Sequence, residues 1–247
     1  MQAFIPQNLS VVHYFPVLTT LISALFCLVL LRRHQKRGGT HHLWWALGIF
    51  AYGSGTALES CITLLGNSIF LTKAWYVAGA LWGGYPLAQG SVYFHLKRRT
   101  AHFLTLTSLP VLIILSVLVF ASPVQAQLME TFRPSGDILE WQWIRIFTPF
   151  VNFYAVIFLI GTAAWSAWSF ARRLGGSSNR AIGNALIAFG ALLPGIGGGM
   201  AKAGSVEALY VGELFGIIFI WIGYSFCVRP KCQDDTLGAR LSSQVKH

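Results

Sequence analysis

Val206-Glu207-Ala208-Leu209-Tyr210-Val211-Gly212-Glu213-Leu214-Phe215-Gly216 opens an apolar run that continues to Val228. A helix needs about 20 residues to cross a bilayer, and this run has that length. Glu213 lies inside it, beside Gly212 and Gly216, which are small enough to let another helix approach closely. A charged group at that depth costs about 2.5 to 3.5 kcal/mol on insertion scales, so it turns toward the bundle interior or water. A second acid, Glu59, interrupts another hydrophobic span far upstream. How these two carboxyl groups lie relative to each other decides what the chain can do.

Of the 247 residues, 55% are hydrophobic and 11% charged, and the mean hydropathy is +0.59. A soluble domain carries far more charge to cover its surface. The apolar runs are long and continuous instead of alternating, which specifies helices and not a barrel. The expected class is an all-α integral membrane protein. The net charge of +10 is explained by basic loops that fix orientation, and no nucleic-acid partner is expected. Cys27, Cys61, Cys227 and Cys232 show neither a disulfide framework nor zinc spacing, and read as small apolar packers or free thiols. The N-terminus lacks the positive region of a cleavable signal peptide, and the first apolar run ends in Arg32-Arg33.

Seven spans can be drawn, at about 13–31, 43–65, 74–96, 101–121, 146–170, 180–201 and 207–228. The sixth is the weakest, because Pro194 and Gly195, Gly197, Gly198 and Gly199 interrupt it. Arg32, Arg33, Lys36 and Arg37 follow span one, Lys97, Arg98 and Arg99 follow span three, and Arg172, Arg173 and Arg180 follow span five. Arg229, Lys231, Arg240 and Lys246 follow span seven, whereas the opposite loops hold only Lys73, Arg133, Arg145 and Lys202. This asymmetry predicts a seven-helix bundle in the inner membrane, N-terminus outside and C-terminus cytoplasmic. Residues 1–228 form the membrane domain, and 229–247 read as a short, basic, disordered tail too small for an output domain. The outer loop Ser122–Arg145 carries Glu130, a Pro134-Ser135-Gly136-Asp137 turn signal, and Trp141 and Trp143 as interfacial anchors. Small residues at packing spacing are Gly79 with Gly83, Ala191 with Gly195 and Gly199, and Gly212 with Gly216.

In this topology Glu59 falls in the outer half of span two and Glu213 about two turns into span seven. Asn152 on span five lies at a comparable level, and Trp82 and Tyr85 are near the middle of span three. Tyr52, Thr56, Glu59 and Thr63 share one helical face; Tyr210, Glu213 and Tyr224 roughly share another. If span two lies beside span seven, both acids line one outward-facing cavity. The candidate ligand-binding set is then Glu59, Glu213, Asn152, Trp82, Tyr85, Tyr210 and Tyr52. Two acids in low dielectric would share a proton or hold a cation; alternatively each is a neutral acid satisfied by a hydroxyl or carbonyl. No metal set or facing pair of intramembrane histidines for haem is apparent, and no cofactor is specified. Span seven lacks the lysine that holds retinal in microbial rhodopsins. Neither a Ser-His-Asp set, a phosphate loop nor a His-Glu-x-x-His motif occurs, so no catalytic residue is assigned.

Spans two and three carry a resemblance. Trp45-Ala46-Leu47-Gly48-Ile49-Phe50-Ala51-Tyr52-Gly53-Ser54-Gly55-Thr56-Ala57-Leu58-Glu59 is followed by Lys73-Ala74-Trp75-Tyr76-Val77-Ala78-Gly79 and Tyr85-Pro86, with Leu192-Leu193-Pro194 later. This resembles the seven-helix membrane-sensing region at the N-terminus of many bacterial histidine kinases and diguanylate cyclases. The resemblance implies an N-out, C-in bundle that senses a small or membrane-borne signal. The leading expectation is a non-enzymatic sensor that contacts membrane lipid, binds a small or lipid-like ligand and reaches a partner protein through its basic inner loops. An accessory subunit of a larger membrane complex and a proton- or cation-coupled transporter are the alternatives.

Overall fold

The computed structural model describes residues 11–129, 134–172 and 178–228. The expected tail at 229–247, with Cys232, and Glu130, Arg133 and Arg173 lie outside the described residues. The described chain is helical: α1 (Phe15–Arg37), α2 (Thr40–Leu65), α3 (Ile69–Trp75), α4 (Tyr85–His95), α5 (Arg98–Ala121), α6 (Phe147–Ala155), α7 (Thr162–Arg172), α8 (Ser178–Lys202) and α9 (Val206–Val228). Among the described residues there is no strand, only an isolated antiparallel bridge between Val124 and Leu139.

The helix ends follow local chemistry. Pro16 stands in the first turn of α1, where its missing N–H costs nothing. Gly38 and Gly39, at φ 66° and 95°, make the tight reversal into α2, a backbone shape that side chains with a Cβ resist. Ser68 caps α3, its Oγ accepting from the Leu71 N–H at 3.2 Å.

Expected span three is not one continuous α-helix. After α3 the backbone widens into a π-helical turn at Tyr76–Leu81, makes a turn, and restarts as α4 at Tyr85-Pro86. A second π segment, Val156–Gly161, joins α6 to α7 within expected span five. Expected span six, by contrast, is unbroken through Pro194 and its glycines.

Five helical stretches are long and apolar enough to cross a membrane: Val11–Arg37, Arg98–Ala121, Gln142–Arg172, Asn179–Lys202 and Val206–Val228. The stretches Thr40–Leu65 and 69–95 are not among them. The first carries Ser54, Thr56, Glu59, Ser60 and Thr63, and the second is broken before Tyr85. Both are internal. Twelve of the 26 residues of α2 are buried, as are Tyr85 to Val92 of α4.

The helices close into a ring. α1 packs on α2 and α9, α2 on α4, α4 on α6 and the second π segment, α7 on α8, and α8 on α9. One core joins Phe26, Leu30, Ile49, Leu87, Ile217 and Ile220 at the centre. A second lies between Tyr76, Leu81, Tyr85 and the α5 residues Leu112, Leu115 and Val119. α5 sits outside the ring, with only Ala101, Leu112, Leu115 and Val119 buried.

Candidate functional site

Two close backbone approaches position the site. A Cβ added to Gly55 on α2 would lie 3.3 Å from Gly79 Cα in the first π segment. That contact places Trp75, four residues before Gly79, against Glu59, four residues after Gly55. The Trp75 indole N–H donates to Glu59 Oε1 at 2.7 Å. On α9, Gly212 and Gly216 face α8: a Cβ on Gly212 would meet the Leu193 carbonyl oxygen at 2.6 Å, and one on Gly216 the Gly190 carbonyl oxygen at 2.9 Å. Glu213 is turned about 100° from Gly212 on the helix and therefore faces away from α8, toward α2.

There the two acids meet. The carboxyl groups of Glu59 and Glu213 lie close enough for each to act on the other electrostatically. Glu59 is 1% exposed, and Oε2 of each acid is buried with no donor directed at it among the described residues. The two observations agree once protons are counted. Ionised carboxylates only accept, so neither can satisfy the other until one carries a proton and becomes a donor. Tyr52 ties the same helices together, its hydroxyl donating to the Glu213 backbone carbonyl at 2.7 Å. Beside Glu59, the hydroxyls of Thr20 and Thr56 meet at 2.9 Å and join α1 to α2. One turn N-terminal to Glu213, Tyr210 is fully buried, and His13 packs edge-on against it with ring centroids 5.9 Å apart.

Of the residues singled out from sequence, Glu59, Glu213 and Tyr52 are brought together, with Tyr210 one turn away. The other three are placed elsewhere. Trp82 donates its indole N–H to Ser116 Oγ at 2.9 Å, Tyr85 bonds Ser108 Oγ at 2.7 Å, and Asn152 is exposed on α6. Tyr224 is at the opposite end of α9, beneath Arg33. Trp75, quoted only as part of a motif, is the residue that sequence reasoning missed. A buried indole N–H needs an acceptor, and that requirement was the available signal.

The Oε2 atoms of both acids are shut from solvent, and the grooves beside Trp221 and beside His102 do not include either acid. Among the described residues no three His, Cys, Asp or Glu side chains gather as a metal-ligand set. The arrangement can hold a proton between two carboxyl groups. It can change its charge by one when that proton leaves, and that charge would be trapped among apolar helices.

Comparison with protein-family models, curated proteins and solved structures finds no match to the chain.

Proposed function

We propose that the chain is a multi-pass inner-membrane sensor of non-enzymatic type, crossing seven times with its N-terminus outside. Its responsive element is the Glu59–Glu213 pair. The observation that supports this reading is that two acids from distant segments lie within each other's electrostatic reach, each with an enclosed Oε2 that no donor reaches among the described residues. Protonated, the pair joins α2 to α9 and leaves Trp75 bonded to Glu59. Deprotonated, two like charges confront each other where water cannot screen them, which pushes α2 and α9 apart. Tyr52 and Trp75 bond the pair's residues, and Tyr210, buried one turn along α9, packs against His13. The signal passes to a partner chain through the basic loops.

Infrared difference spectroscopy during a pH titration tests the proton. The expected result is a protonated-carboxyl C=O band that disappears in the Glu59→Gln/Glu213→Gln double variant. Identical spectra for the wild type and the double variant would overturn the reading. Proton flux across liposomes that depends on Glu213 would assign the same pair to transport instead of sensing.

A further inference from the structure

Between α1 and α9 lies an open apolar groove of about 460 Å³, lined by Ile22, Ile218, Trp221, Ile222, Ser225 and Phe226. From Ile218 to Phe226 it follows α9 for about 12 Å at 1.5 Å per residue. The two helices run parallel: His13 meets Tyr210 near their N-terminal ends, and Arg33 meets Tyr224 near their C-terminal ends. Phe26 links the groove to that cationic end, stacking on Trp221 at 5.4 Å and packing against Tyr224 at 5.5 Å. The Arg33 guanidinium carbon stands 5.7 Å from the Tyr224 ring centroid.

The polar end is unsatisfied. Arg33 Nε and the Tyr224 hydroxyl are buried and have no hydrogen-bond partner among the described residues. Arg32, Lys36 and Arg37 complete a cationic turn. Among the described residues, the ion pair formed is Arg145 with Asp137, so none of these four cations is neutralised by a carboxylate there.

We propose that the groove holds one acyl chain of an anionic phospholipid, with its phosphate on the terminal N–H groups of Arg33 and the neighbouring exposed cations Arg32, Lys36 and Arg37. The apolar lining matches hydrocarbon, and the unneutralised guanidinium matches a phosphate that it can grip with two N–H groups. Basic pockets between membrane helices bind anionic headgroups on this principle. The site requires α1 and α9 to be in the membrane, but it does not depend on the acid pair.

The test is native mass spectrometry of the delipidated full chain, titrated with phosphatidylglycerol or with phosphatidylcholine of identical acyl chains. Retention of phosphatidylglycerol at about tenfold lower concentration is expected. Arg33→Gln should abolish that preference, Trp221→Ala should weaken both lipids, and Glu59→Gln should leave the preference intact. A phosphatidylglycerol-induced rise in Tm, present in the wild type and in Arg33→Lys but absent in Arg33→Gln, separates lost binding from lost folding. Equal retention of the two lipids, or a preference that survives Arg33→Gln, overturns the proposal. A preference that appears only after Asp234→Asn/Asp235→Asn would assign the Arg33 end to the chain's own C-terminal segment and also overturn it.

Discussion

Glu59 is held between a donor that never leaves and a second acid whose help depends on a proton. Removing the fixed donor is the simpler test: Trp75→Phe should cost about 1 to 3 kcal/mol, read as a lower Tm in detergent. Glu213→Gln supplies an amide N–H to Glu59 permanently, so it should cost under about 1 kcal/mol. Glu213→Ala, which leaves Glu59 Oε2 with nothing, should cost about 1 to 3 kcal/mol. Equal losses for the two Glu213 variants would mean that no hydrogen bond joins the acids. Outside the membrane spans, the Ser135 hydroxyl, and after it Arg145, hold Asp137 below the usual carboxylate range. A depressed folded value gives stability that is complete above the unfolded value, about 3.9, and lost as pH falls through the folded one. Asp137 is 60% exposed, so the loss should stay under about 1 kcal/mol, seen as a change in Trp141 and Trp143 fluorescence confined to strong acid. The two acids were legible in the sequence because each interrupts an apolar run away from its ends. Trp75 was not legible as their partner, because which acceptor an indole finds is decided by the Gly55–Gly79 approach and not by spacing along one helix.

Helix pairing shows the same division. On α8, Gly183, Gly190 and Gly197 recur every seventh residue, and each touches α9 backbone: a Cβ there would lie 2.6 Å from the Gly223 oxygen, 2.7 Å from the Gly216 oxygen and 2.7 Å from the Ala208 oxygen respectively. Gly195 and Gly199, which four-residue spacing favours as the packing pair, have nothing within 4 Å. The seam was visible as a heptad and obscured by a richer cluster of glycines on the other face. Gly190→Val should therefore separate α8 from α9 and lower stability by about 1 to 3 kcal/mol. Gly195→Ala, in open space within a helix, should be neutral or stabilising by up to about 1 kcal/mol; thermal unfolding of both in one detergent checks the contrast. α5 is attached by a different means. Lys73 Nζ donates to the carbonyls of Phe120 at 2.9 Å and Ser122 at 2.7 Å, followed by Trp82 to Ser116, Tyr85 with Ser108, and Gln89 Nε2 to Thr105 at 2.6 Å. This polar ladder runs the length of a helix with little buried apolar surface. Lys73→Met removes its end rung and should speed hydrogen exchange in the last turn of α5 while sparing α9.

At the scale of the molecule, hydropathy and burial oppose each other. The five apolar stretches bury between 11% and 33% of their most hydrophobic windows. The two stretches that fall short in apolar length are more buried: 12 of the 26 residues of α2 and the run Tyr85 to Val92 of α4. A helix face packed against other helices does not meet lipid, so the buried face of α2 can carry Thr56, Glu59, Ser60 and Thr63. The polar residues of α2 lie on its buried face, while Leu43, Leu47, Phe50 and Leu64 are exposed on the same helix. Side-chain contacts also gather the basic turns at one end: Arg33 on Tyr224, His41 on Phe94, and His95 Nε2 with Ser166 Oγ at 3.2 Å. Lys73, Arg145 and Asp137 belong to the other end, with Ser122 and the residues 134–146. Counting the crossings needs a probe that depends on α2. In a background with Cys27, Cys61, Cys227 and Cys232 replaced, a cysteine at Asn67 should react with a membrane-impermeant maleimide in intact cells. One at Gly38 should react only after permeabilisation. Labelling of both positions from the same side would mean that α2 does not cross, and the Glu59–Glu213 contact would then have to form without a membrane on both sides of it.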